Sequence, residues 1–260
     1  MLNYTTIGVH AFYTFLLVFS RTSGLIAVAP VLGSRSIPHP LKAGLALVLS
    51  LAIMPLQEAH TANAPTHLLV LTTQIAGEAI LGIVMGYIAR LFFSAVEIAG
   101  TLVDTQMGFG FLQLANPFAE QPNSILSVFQ YQLATTLYLL MNGHLLLIGA
   151  MVESFTLITP GTFAPTAAFG GGFVTILQGV MLLCIRVALP AIGVLILMEI
   201  AFGIMARLVP TLNVFFVGAP AKIIVGLTTV SLLLPAFAMM VGQVMTESMQ
   251  GIHQLLSAGK

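Results

Sequence analysis

A chain of 260 residues that is 58% hydrophobic and only 6% charged cannot dress a water-facing surface, because soluble domains carry about 25% charged residues. Eight basic and eight acidic side chains cancel, which excludes the basic field that nucleic acid requires. The single cysteine, Cys184, excludes a disulfide framework or a cysteine-rich metal site. With a mean hydropathy of +1.05, most of the outer surface must face lipid or apolar protein.

A helix that crosses a membrane needs about 20 mostly apolar residues. The first apolar block covers residues 7–32 and contains Arg21. No Lys or Arg precedes it, and Pro30 directly follows Ala27-Val28-Ala29, so it reads as a retained helix and not as a signal peptide. Residues 33–40 form a turn with Pro38 and Pro40 as breakers. Residues 41–56 are a shorter, marginal block, and 57–67 a polar loop with Pro65. Residues 68–103 are too long for one perpendicular span and carry Glu78, Arg90 and Glu97.

Residues 104–123 read DTQMGFGFLQLANPFAEQPN, an oily loop of Gly, Phe, amides and two prolines. Residues 125–152 read as one long apolar helix, ended by Pro160 and Gly161, and Gly170-Gly171-Gly172 as a flexible joint. A span follows at 173–198, with Arg186 and Pro190 inside it. Residues 201–241 read as two helices around a break, with Arg207, Pro210, Pro220 and Lys222, before a short polar tail from Glu247 to Lys260. The pattern predicts an all-α membrane protein of about six spans with kinked apolar helices. Barrel strands would be about 10 residues long with strict alternation, which these runs are not.

Nine charges stand in or beside the apolar blocks: Arg21, Glu78, Arg90, Glu97, Asp104, Arg186, Glu199, Arg207 and Lys222. Each would cost roughly 2.5–3.5 kcal/mol unpaired at mid-bilayer. Two readings follow: pairing across helices and subunits, or the lining of a polar conduit. Glu97 and Asp104, seven apart, share a face if the helix runs that far. Kinks at Pro190, Pro210 and Pro220 either build a binding site or shape a curved packing. Gly82 and Gly86 form a GxxxG close-packing signal. Met107-Gly108-Phe109-Gly110-Phe111 places large apolar side chains on glycine hinges, fit to plug a pore or to anchor at an interface.

Motifs of catalysis are missing: HExxH, GxSxG, a Walker loop and a helix-opening GxGxxG do not occur. The expectation is therefore no enzyme and no cofactor. His60 and His67 share a loop without an evident third metal ligand, and His144 is expected to hydrogen-bond across a helix contact.

Read in order, the blocks resemble the FliR/SctT family of type III export-gate proteins. The likeness begins with Arg21-Thr22-Ser23-Gly24, Ala29-Pro30, Ile37-Pro38 and Lys42 leading into Gly44-Leu45-Ala46-Leu47. It continues through Gly77-Glu78, Gly82, Gly86, Glu97-Ile98-Ala99-Gly100, Asp104, Gln106-Met107-Gly108 and Asn142-Gly143-His144. It closes with Ala188-Leu189-Pro190, Glu199, Gly203, Arg207, Pro210, Asn213-Val214-Phe215, Gly218, Pro220 and Lys222. No one block is specific; their order and spacing are. One departure is Asn116-Pro117, where the family usually shows Asp-Pro; the turn survives, since Asn favours it too.

The resemblance implies a single domain over residues 1–260, packed in a helical hetero-oligomeric export gate of the bacterial inner membrane, within the flagellar basal body. Its partners would be several copies of FliP and FliQ, with FlhB wrapped around them and FlhA below, besides membrane lipid. Unfolded rod proteins and other export substrates would pass through the channel. The resemblance also implies that residues 106–122 occlude the closed channel, with Gln106, Met107, Gly108, Phe109, Gly110, Phe111 and Leu112 as the gate and Phe109, Phe111 and Leu112 as its seal. The block NVFFVGAPAK looks more flagellar than injectisome-like. The alternatives are an injectisome (SctT-like) gate subunit, or a stand-alone secondary transporter with a midplane site at Arg186, Pro190 and Glu199.

Overall fold

The computed structural model describes residues 4–57, 61, 64–109, 124–163, 166–209, 211 and 213–258. Among these there are seven helices and no strand: α1 (Tyr4–Val28), α2 (His39–Gln57), α3 (Leu68–Met107), α4 (Ile125–Leu140), α5 (Gly143–Leu157), α6 (Ala167–Leu208) and α7 (Val214–Ala258). Five are long and apolar enough to cross a membrane, or up to six if the bent pair α4–α5 makes one span. The protein is an all-α membrane protein, as the composition requires. Helices α3, α6 and α7, of 40, 42 and 45 residues, extend roughly 60–70 Å at ~1.5 Å per residue, about twice a hydrocarbon core of ~30 Å.

Four boundaries differ from the sequence reading. The stretch 125–152 is two helices, Ile125–Leu140 and the start of Gly143–Leu157. Asn142 sits at φ 59, a left-handed conformation that Asn tolerates, and the next helix starts on its carbonyl, which accepts the N–H groups of Leu145 and Leu146. The supposed joint Gly170-Gly171-Gly172 lies inside α6, which also runs unbroken past Pro190 to Leu208. Helix α6 ends at Leu208 and α7 begins at Val214, with Pro220 and Pro235 inside α7, while Pro210 lies outside the described residues. The polar tail is helical to Ala258, with Ile252, Leu255 and Leu256 each 1% exposed.

Glycine costs a helix about 1 kcal/mol relative to alanine, and an added Cβ at Gly170 or Gly171 would meet nothing within 4 Å. Gly170→Ala and Gly171→Ala should therefore each raise thermal stability in detergent, by about 0.5–1 kcal/mol. A loss of stability or function in both would mean the segment has to bend.

The chain divides into two compact units. The first comprises Met1–Leu91, Met141–Leu177 and Met245–Lys260. In it α1 packs on α2 and crosses α3 at a glycine seam. A Cβ at Gly24 would lie 2.5 Å from the Ala79 carbonyl, one at Gly86 2.7 Å from the Leu25 carbonyl, and one at Gly82 would collide with the Arg21 carbonyl. Around the seam Leu17, Leu25, Leu81, Met85, Ile88, Leu147 and Met151 are buried. The GxxxG pair is thus a backbone contact.

The second unit comprises Phe92–Leu140 and Gln178–Val244. There α4 packs on α3: Phe93 meets Tyr138 edge-on at 5.2 Å between ring centres, and the Cα of Ser127 stands 2.6 Å from where a Gly100 Cβ would be. Ala99, Val103, Ala191, Leu195 and Phe237 are among its buried residues. Much of α2, α6 and α7 is left open: their most apolar windows are only 17%, 33% and 17% buried.

Candidate functional site

A buried polar network holds the first unit together. Arg21 on α1 is fully buried, because α1, α3 and α5 close over it. Its Nε donates to Glu78 Oε2 at 2.6 Å, its Nη1 to Ser154 Oγ at 3.0 Å and its Nη2 to the Ile158 carbonyl at 3.1 Å. The guanidinium also lies 4.2 Å from the centre of the Phe155 ring, a cation–π geometry. Glu78, equally buried, accepts the Gly161 N–H through Oε1 at 2.8 Å. Gln74 closes the ring: its Nε2 donates to the Gly161 carbonyl at 3.2 Å, and its Oε1 accepts from Tyr13 Oη at 2.8 Å. A buried charge is tolerable only when paired and hydrogen-bonded, and both charges here meet that condition.

Gly161 sits at φ +83, and an added Cβ would lie 2.9 Å from Tyr13 Oη, so both conformation and space reserve the position for glycine. The sequence marked Arg21 and Glu78 as charges needing partners, and Gly161 as a helix end. It did not reveal Tyr13, Gln74, Ser154 or the Ile158 carbonyl. The contacts of Arg21 with Ser154 and Ile158 span 133 and 137 residues, and no local pattern encodes such pairings.

The Gly-Phe segment begins later than the sequence suggested. Helix α3 continues through Asp104 and Gln106 to Met107, because nothing in Asp104-Thr105-Gln106-Met107 breaks a helix. It ends at Gly108, φ +90, where the Gly108 N–H reaches the Thr105 carbonyl at 3.2 Å and the Phe109 N–H the Asp104 carbonyl at 3.3 Å. This is the Schellman pattern of helix termination, so Gly108 works as a stop with fixed geometry. Met107 is fully buried, its thioether 2.7–2.8 Å from where a Cβ on Gly226 would be. Gln106 is exposed and Phe109 half-buried. Gly110, Phe111 and Leu112 lie outside the described residues.

The remaining charges separate into three sets. Lys222 Nζ bonds Glu199 Oε1 at 3.1 Å, linking α7 to α6. Arg90, Glu97, Arg186 and Arg207 are exposed and have no ion-pair partner among the described residues. Glu97 and Asp104 share a continuous helix, yet Glu97 is open while Asp104 is 2% exposed with Oδ1 unpartnered. His144 stands in the first turn of α5, and its buried Nδ1 has no hydrogen-bond partner among the described residues, against expectation. The residues of the transporter reading do not converge. Arg186 and Glu199 are 13 positions apart on one helix, about 20 Å at ~1.5 Å per residue. Pro190 faces a cavity of about 60 Å³ walled by Val103, Gln130, Ala191, Val230 and Phe237, room for roughly two waters.

Among the described residues this arrangement brings no nucleophile, base and oxyanion donor together. It defines an all-helical integral membrane protein that ties one charged pair deep inside and presents several exposed charges with no ion-pair partner among the described residues. Residues 12–248 match the family described as "Bacterial export proteins, family 1", and the chain belongs to that family. It is 32% identical over 223 residues to the flagellar biosynthetic protein FliR of Escherichia coli (strain K12), covering 84% of this chain and 83% of that one. To the protein of the same name from Bacillus subtilis (strain 168) it is 28% identical over 250 residues, 95% of each. To the secretion system apparatus protein SsaT of Salmonella typhimurium it is 30% identical over 165 residues, 62% of each.

Proposed function

We propose that this chain is a core subunit of the flagellar type III protein export gate in the bacterial inner membrane, built as one functional domain over residues 1–260. It forms, with FliP and FliQ, the channel for unfolded flagellar proteins, rod proteins among them, next to FlhB and FlhA. The observation that carries the reading is the family match over residues 12–248. The exposed charges of α3 agree with it: lipid is a poor partner for Arg90 and Glu97, which have no ion-pair partner among the described residues, whereas neighbouring subunits can offer counter-charges. The flagellar reading is favoured over the injectisome one by identity and coverage taken together: 32% over 84% of the chain against FliR of Escherichia coli, compared with 30% over 62% against SsaT and 26% over 80% against the Yop proteins translocation protein T of Yersinia pestis.

The test is co-expression of the tagged chain with its cognate FliP and FliQ, detergent extraction and native mass spectrometry. A defined heteromeric complex supports the gate; a stable monomer indifferent to both partners would overturn it. Within the complex the closure is the segment that leaves α3 after Met107, residues 108–122, so Gln106 and Met107 of the expected gate belong to the helix that carries it. The Schellman stop at Gly108 and the buried Met107 anchor fix where the segment departs, and Phe109, Phe111 and Leu112 supply the seal. Deleting residues 109–122 should make cells leak ions or small solutes through the resting gate. Unchanged conductance would rule the closure out.

A further inference from the structure

Four buried polar side chains gather along the seam of α3 and α4, inside the second unit. Phe93 meets Tyr138, and further along α3 the backbone at Gly100 approaches Ser127, so the two helices run antiparallel. Asp104, one turn beyond Gly100, therefore falls level with Ser124, about one turn before Ser127. Asp104, Ser124, Ser127 and Gln130 are each more than nine-tenths buried.

The seam is short of donors. Asp104 Oδ1 and Gln130 Oε1 have no hydrogen-bond partner among the described residues, and a carboxylate or an amide oxygen can only accept. No ion pair among the described residues reaches Asp104: Arg21 and Lys222 are bonded to Glu78 and Glu199. Gln130 Oε1 lies 2.9 Å from where a Cβ on Gly100 would be. Side chains one turn apart have Cβ atoms about 5–6 Å apart and lean toward the start of the helix. The Asp104 carboxylate thus leans back toward that amide oxygen, and no side chain on Gly100 stands between them. Ser124 Oγ accepts the Ser127 N–H at 3.0 Å, and both serine hydroxyls keep lone pairs to share.

A carboxylate taken out of water is tolerated when it is paired or bound to a metal ion. Two orphan acceptors side by side call for positive charge, and an all-oxygen set selects a hard cation. A single carboxylate balances a single charge. No group of three His, Cys, Asp or Glu occurs among the described residues, which is poor in charge for calcium. We propose that this seam binds one alkali-metal cation between Asp104 Oδ1 and Gln130 Oε1, with the hydroxyls of Ser124 and Ser127 turned toward it. The ion ties α3 to α4 where the chain leaves one at Met107 and enters the other at Ile125. The inference does not depend on the gate assignment, since the site lies within this chain.

The test uses the full chain with the subunits that copurify with it, in detergent. Choline chloride is exchanged stepwise for sodium or potassium chloride at constant total chloride. The melting midpoint should rise by a few degrees and saturate with at least one of the two ions, as mass action requires. Equilibrium dialysis against radioactive sodium or rubidium should retain one ion per chain. Asp104→Asn keeps the shape and removes the charge, and should abolish both the rise and the retention. If that variant yields no folded protein, Gln130→Met decides in its place, because it removes the amide oxygen and leaves the charge. Equal melting in all three salts with no ion retained would show that water satisfies the seam, and would overturn the proposal. A response that survives the deciding substitution would place the ion elsewhere and overturn it too.

Discussion

Arg21→Met should deplete the protein from membranes and lower the thermal stability of any complex containing it. Methionine fills much of the arginine's volume, so packing changes little, but Glu78 is left fully buried with no cation. Ser154 Oγ and the Ile158 carbonyl also lose a donor. Breaking a buried pair from one side costs roughly 3–5 kcal/mol, comparable with the whole stability of many domains, about 5–15 kcal/mol. Glu78→Gln on top of Arg21→Met removes the stranded charge and still leaves an amide oxygen for the Gly161 N–H. The double variant should therefore recover much of the lost stability. Detergent melting curves and membrane abundance give the order: wild type, then double, then Arg21→Met. If the single variant melted within about 1 kcal/mol of wild type, as a solvated surface pair would, the network would not hold this unit together.

Gly82→Val should be as damaging by a different route. The first atom of the new side chain would land on the Arg21 backbone carbonyl, with the Leu25 N–H group 3.0 Å away. Backbone cannot rotate aside as a flexible side chain can, so α1 and α3 must separate. Separation would draw Arg21 away from Glu78 as well. Overpacking alone costs about 1–3 kcal/mol, and the stretched ion pair adds to it. Gly44→Ala is the matched control, since nothing lies within 4 Å of its added Cβ and the change favours the helix. Loss of membrane-inserted protein for Gly82→Val with normal levels for Gly44→Ala is the expected outcome. Equal levels for both would show that the crossing is looser than the structure places it.

Both predictions concern residues the sequence had already singled out, but for incomplete reasons. Arg21 and Glu78 stood out as charges in apolar runs. Gly82 and Gly86 stood out by spacing alone. That α1 crosses α3 through them, and that Gly24 answers from the other side, is not encoded in any window of the sequence. The same limit explains the boundaries. Three glycines in a row read as a joint, yet α6 continues through them; tertiary packing overrides propensities worth about 1 kcal/mol per residue. Asn142-Gly143 is a turn dipeptide set inside a run of apolar residues, and hydropathy along that run does not show the helix ending at it. Gly108 read as a hinge because glycine permits motion; the two closing hydrogen bonds that make it a stop depend on α3 reaching Met107.

The sequence by itself determined the class of protein. A chain 6% charged and 58% hydrophobic, in long apolar runs, can satisfy its backbone inside a bilayer only as helices, and the order of its blocks carried the family. The tertiary structure decided which charges are joined. Arg21 and Glu78 are tied to each other and to a turn at Gly161, and Glu199 to Lys222, while Arg90, Glu97, Arg186 and Arg207 are left open among the described residues. The physical reason is distance along the chain. Hydropathy is local and additive, so it can be read residue by residue. A buried charge is stabilised only by atoms that arrive from 57 to 137 residues away, and their arrival is a property of the packed helices.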